Sequence, residues 1–128
     1  MTDRLDGLRA RIDCFADERD WRQFHTPRNL VMALVGEVGE LAGTMQWLTD
    51  DEVLRGLSEP ELRRQVADEL ADVLIYLVRL ADVCGVDLLW EADAKIDRNE
   101  QRYPPQLARG RAAKYTHLHS SSPPAEPE

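Results

Sequence analysis

Glu37 and Glu40 stand three residues apart, and Glu69 and Asp72 repeat the interval. On a helix, positions i and i+3 share a side, so each acidic pair would project together. Both pairs also lie beside apolar stripes. At 100° per residue, the stripe of Leu30, Leu34, Val38, Leu41 and Met45 centres between Leu34 and Met45, and Glu37 falls about 60° from that centre. Glu69 is similarly set on its own helix, with Asp72 and Tyr76 extending the line. Two such pairs on neighbouring helices would face each other across a seam. Gathered carboxylates repel, and burying each unpaired would cost on the order of several kcal/mol. A hard divalent cation resolves this, and an all-oxygen set favours Mg²⁺, with Mn²⁺ as its substitute, over Zn²⁺. From spacing alone, solvated helix charge remains the competing account.

Other chemistries find less support. No Ser-His or Cys-His arrangement offers an activated nucleophile. His25, His117 and His119 sit on no Glu-x-x-His motif, as a di-iron bundle would require. A second polar cluster complements the first in sign. Lys95, Arg98 and Arg102 recur at i, i+3 and i+7, with Asn99 adjacent. A guanidinium fork matches phosphate oxygens, and lysine supplies a point charge. A solvated cationic face would read the same way.

The elements that must position these groups are helical from end to end. Leu5, Leu8, Ile12 and Phe15 mark a first helix ending near Glu18 to Asp20. Trp21 to His25 form a connector, and Thr26-Pro27 opens a second helix, with Thr as N-cap and Pro in the first turn. That helix is expected to run to about Gln46, packed by Leu30, Leu34, Val38, Leu41 and Met45. Gly36, Gly39 and Gly43 share another of its faces and suggest close approach there. A polar link from Thr49 leads to Ser58-Glu59-Pro60-Glu61, a capping-box pattern. The third helix continues to about Val83 on Leu62, Val66, Leu70, Val73, Leu77 and Leu80, and Gly85 stops it. Asp87 can cap a fourth helix through Arg102, which Pro104 and Pro105 end. Four helices with short links predict an all-α four-helix bundle. Residues 1–118 make one domain, and 119–128, rich in Ser, Pro and Glu, a disordered tail.

Length and charge bound the possibilities further. A chain of 128 residues holds one domain with a thin core. The continuous apolar surface from Val73 to Val78 therefore points to burial against partner subunits. Cys14 and Cys84 lack a CxxC spacing and are expected to be reduced. No signal peptide or membrane span is visible, so the expected location is cytoplasmic. The net charge of −8 argues against a nucleic-acid polymer as partner. Its distribution is more telling: residues 95–114 carry +4, leaving −12 on the rest.

Three blocks, ERDWRQFHTPRNLVMALVGEVGELAGTMQW, DELADVLIYLVRLADVCGVDL and KIDRNEQRYP…ARGRAAKYTHL, resemble the MazG-like all-α nucleotide pyrophosphohydrolases, closest to the dCTP pyrophosphatase branch. The resemblance covers nearly everything from Phe15 to Leu118, and Glu37, Glu40, Glu69 and Asp72 complete the family's ExxE…ExxD signature. It implies a Mg²⁺-dependent cut between the α- and β-phosphates of a nucleoside triphosphate. The four carboxylates would hold metal, with Glu37 or Glu40 accepting a proton. Lys95, Arg98 or Asn99, and Arg102 would approach the triphosphate, with Arg109 and Lys114 closing over it. Trp21, Arg22, Gln23, Phe24, His25 and Trp47, with Tyr76 near the metal line, would wall the base. The resemblance also implies a homotetramer whose active site is completed on assembly. One departure bears on the base. The dCTP branch carries a polar histidine where Ile12 stands, so dCTP-like nucleotides compete with a broader (d)NTP range. A non-catalytic helical adaptor remains the rival outside enzymology.

Overall fold

The computed structural model describes residues 2–118, and every regular element among them is helical. Helix α1 spans Thr2–Glu18, and a short 3₁₀ turn follows at Arg22–Phe24. Helix α2 spans Pro27–Gly43, α3 Asp50–Gly56 and α4 Pro60–Cys84. Helix α5 spans Leu88–Arg102, and the single turns α6 and α7 cover Pro105–Ala108 and Tyr115–Leu118. The four long helices are those expected from the apolar periodicity. The expected tail, 119–128, lies outside the described residues.

Helix boundaries follow local chemistry. The Thr26 hydroxyl accepts from the Asn29 amide 3.2 Å away, and Pro27 needs no amide partner in the first turn. Gly85 ends α4 at φ +68°, a left-handed conformation that costs glycine little. Three boundaries differ from expectation. Helix α2 stops at Gly43 and not near Gln46, because Thr44 turns its hydroxyl back onto the Leu41 carbonyl at 2.7 Å. The Ser58 capping box does not form: Glu59 is the N-cap, without a side-chain cap bond. The polar link contains helix α3, whose N-cap Thr49 accepts from the Glu52 amide at 3.2 Å.

The chain divides into two compact units, one through Asp87 and one from Leu88. In the first, α2 packs along α4 more extensively than any other pair, and α1 and α3 also lie against α4. Ala16, Leu30, Val66, Val78 and Ala81 are its buried apolar residues. The packed face of α2 is rotated from the expected stripe. Leu30, Ala33, Leu34, Glu37, Leu41 and Thr44 are buried or half-buried, whereas Val38 is exposed. On α4, Leu70 is likewise exposed, while Glu69 and Val73 turn inward. Both rotations bring a glutamate into the seam.

Much apolar surface remains outside. Val31, Met32 and Val35 on α2, and Leu70, Leu74 and Ile75 on α4, are exposed, Met32 to 64% and Val35 to 63%. A Cβ added at Gly36, Gly39 or Gly43 meets nothing within 4 Å, so the close approach expected on that face does not occur among the described residues. Cys14 and Cys84 are free, as expected, and both are exposed. In the second unit, Tyr103 and Tyr115 meet edge to face at 6.0 Å, and the Arg102 guanidinium lies 5.0 Å above the Tyr115 ring. Among the described residues, no helix is long and apolar enough to cross a membrane.

Candidate active site

Antiparallel contact between α2 and α4 converts two sequence-distant motifs into one cluster. Glu37, Glu40 and Glu69 each bring a carboxylate oxygen within 4.8 Å of the others. Glu37 and Glu69 are half-buried and Glu40 is exposed. One oxygen of each inner carboxylate, Glu37 Oε2 and Glu69 Oε2, is shut off from solvent without a hydrogen-bond partner. Buried polar atoms are normally satisfied, so two orphaned anionic oxygens in one place call for a cation.

Proton affinities record the same crowding. Burial first, then the charges of Glu40 and Asp72 and the proximity of Glu69, push Glu37 up to about 7. Burial and the Glu40 charge also raise Glu69. Asp72 is half-buried one turn from Glu69 and acts on both glutamates through its charge, although it is not among the three that converge. The donor set is all oxygen and anionic, which fits a hard divalent cation and offers nothing to a soft one. Glu37, Glu40 and Glu69 would hold it, with Asp72 alongside.

A model of the MazG-like family matches residues 34–118, which contain the whole cluster and run across both compact units. The chain belongs to the MazG-like family. A dCTP pyrophosphatase 1 from Rattus norvegicus is 57% identical over 114 residues, covering 89% of this chain and 67% of that protein. Its Homo sapiens counterpart is 56% identical over the same shares. Among solved structures, a pyrophosphatase from Archaeoglobus fulgidus aligns with a TM-score of 0.69 at 38% identity, over 81% of this chain and 92% of that one.

The remaining residues singled out in this MazG-like chain occupy three settings. In the connector, the Trp21 ring meets Phe15 edge-on at 5.7 Å and His25 at 6.3 Å. Arg22 is engaged with Asp13 at 2.8 Å and Asp17 at 3.1 Å, and Gln23 donates to both the carbonyl and the carboxylate of Asp20 at 3.0 Å. Phe24 is exposed, and Trp47, in the turn after α2, is exposed to 87%. Tyr76 is half-buried, one turn beyond Asp72 on α4. Lys95, Arg98, Asn99, Arg102, Arg109 and Lys114 all belong to the second unit, where Asn99 and Arg102 are half-buried and the others exposed.

One group escaped the sequence reading. Arg79 is buried on α4, only 5% exposed, with its guanidinium on Asp13 of α1 and on His25. Its hydrogen bond holds the Asp13 carboxyl below the usual range, against the opposing effect of partial burial. The available signal was a lone arginine inside the apolar run from Val73 to Ala81. Its meaning depended on what α1 would set against it.

Proposed function

We propose that the protein hydrolyses dCTP and 5-substituted relatives to the nucleoside monophosphate and pyrophosphate, with Mg²⁺ in the carboxylate cluster. The observation that carries this is the convergence of Glu37, Glu40 and Glu69, two of them with orphaned buried oxygens, in a MazG-like chain. Membership of that family and the pyrophosphatase relatives make it a nucleotide pyrophosphohydrolase.

A divalent cation held by Glu37, Glu40 and Glu69 would supply charge neutralisation for phosphoryl oxygens and lower the pKa of a water. The chain's own groups do the rest. Glu37 and Glu69 present their buried oxygens inward, and Asp72 adds negative charge beside them. Glu40, the exposed member, is the acceptor for the attacking water's proton and passes it to solvent. Lys95, Arg98, Asn99 and Arg102 bind the triphosphate, with Arg109 and Lys114 as further contacts. Trp21, His25, Trp47 and Tyr76 shape the base pocket, in which a flat pyrimidine stacks on an indole. Ile12 lines a mostly apolar hollow of about 280 Å³ with Leu8, Arg11, Phe15 and Ile75, which suits a small 5-substituent.

The apolar faces of α2 and α4 support assembly into a homotetramer, in which copies of the chain cover Met32, Val35 and Leu74. The test is a pyrophosphate-release assay with Mg²⁺ across dCTP, 5-methyl-dCTP, dTTP, dUTP, purine and ribonucleotide triphosphates. Release from dCTP that is lost in Glu69→Gln is the expected result. No release from any nucleotide, or a Glu69→Gln variant with an unchanged rate, would overturn the hydrolase reading. Equal rates on purines would overturn only the base preference.

A further inference from the structure

The connector that precedes α2 is anchored by a single buried cation. Arg79 Nη1 donates to Asp13 Oδ1 at 2.8 Å, and Arg79 Nε donates to His25 Nδ1 at 3.0 Å. Asp82 stands 3.6 Å from the same guanidinium. Arg22 holds the other Asp13 oxygen at 2.8 Å, and Arg9 reaches Asp82 at 3.5 Å. The two aspartates fix the arginine, and the arginine in turn faces the ring of His25.

A guanidinium has only donors and stays protonated in proteins. The imidazole nitrogen it meets must therefore carry a lone pair, so neutral His25 bears its proton on Nε2. Protonating Nδ1 would set one N–H against another beside a fixed positive charge. Burial and the Arg79 charge accordingly both hold His25 below the ordinary histidine value. The result is a neutral ring with one directed donor.

Position gives that donor a use. Asp72, Tyr76 and Arg79 follow one another at i, i+4 and i+7 along one side of α4. By helical rise Arg79 lies about 10 Å beyond Asp72, away from the carboxylates. The base pocket proposed above, to which Trp21, His25 and Tyr76 belong, lies in that direction. The Trp21 ring stands edge-on to His25 at that end.

We propose that Arg79 is a positioning residue, which locks His25 as the Nε2–H tautomer so that it donates to an acceptor on the base of the bound nucleotide, such as a pyrimidine carbonyl. The proposal rests on the site being that of a nucleotide pyrophosphohydrolase. Its first test does not depend on turnover. Long-range ¹H–¹⁵N correlation spectra of the full-length protein should show His25 protonated at Nε2 alone at about pH 8, with Nδ1 taking up its proton only below the ordinary histidine range. An Nδ1–H pattern, or ordinary titration near 6.5, would overturn the lock.

Kinetics then test the use of the donor. His25→Phe and Arg79→Met should each raise KM for dCTP about tenfold. Turnover should stay within about twofold and inhibition by pyrophosphate, which has no base, should be unchanged. Combining the two substitutions should add nothing to His25→Phe alone, because Arg79 acts through His25. Further loss in the double variant would mark Arg79 as merely structural and refute the proposal. If Arg79→Met does not fold, His25→Phe decides: an unchanged KM refutes the donor role. A wild-type protein that releases no pyrophosphate from any nucleotide instead refutes the hydrolase reading, and with it the ligand of His25.

Discussion

Glu37 combines two properties that rarely coexist in a solvated carboxylate: an orphaned buried oxygen and a proton affinity near neutrality. Its folded pKa, about 7, lies above the ordinary 4.5, so between these values the folded state binds more protons than the unfolded one. Stability contributed by Glu37 therefore falls as pH rises through that window, and above it the charged cluster is most strained. Metal and proton compete for the same oxygens. Mg²⁺ should accordingly raise Tm more at about pH 8 than at about pH 6, and its affinity by calorimetry should weaken below about pH 7. Glu37→Gln should flatten the metal-free dependence of Tm on pH over the same interval while reducing dCTP hydrolysis by roughly 10²-fold or more. Asp13 and His25 run the other way. Both are held below their ordinary values, so their stabilising contributions are present at high pH. That of His25 is lost as pH falls below 6.5, and that of Asp13 below 3.8.

At the scale of elements, the boundaries are fixed by caps whose energies are separable from the site. Thr26 closes the first turn of α2 through its hydroxyl, so Thr26→Ala should cost about 1 kcal/mol in urea denaturation. The same variant should leave turnover of dCTP nearly unchanged, because the cap lies at the far end of α2 from Glu37. Gly85 at φ +68° closes α4, and alanine there should cost about 1–2 kcal/mol through the left-handed backbone. Both caps were legible, because Thr-Pro and a glycine after an apolar run are local signals. Helix α3 and the failed capping box at Ser58 were less so. In the first case Thr49 found a helical turn to cap within what reads as a polar link. In the second the chain entered the helix one residue later, at Glu59.

At the scale of the whole molecule, the exposed apolar faces of α2 and α4 exceed what isolated surface leucines and valines explain. The homotetramer proposed above predicts a sedimentation mass near four times the 14.6 kDa chain. Val35→Glu with Leu74→Glu should shift that mass downward, and dCTP hydrolysis should fall with it. A fully active monomer would count against a site completed on assembly. The glycine face of α2, which meets nothing among the described residues, is open to the same close contact.

The sequence by itself determined the helical class, the four long elements and the identity of the acidic pairs, because periodicity and capping are properties of neighbouring residues. It also separated an acidic body from a basic segment, because charge is counted residue by residue. Only tertiary structure decided which carboxylates meet. Glu37, Glu40 and Glu69 converge while Asp72 acts from beside them, since the rotation of α2 against α4 is set by packing along the whole seam. The same holds for Arg79. Inside an apolar run it looks like an interruption, and it becomes an anchor only when α1 brings Asp13, and the connector His25, to its guanidinium. A buried charge is tolerable only with its partners in place, and those partners are chosen by the fold.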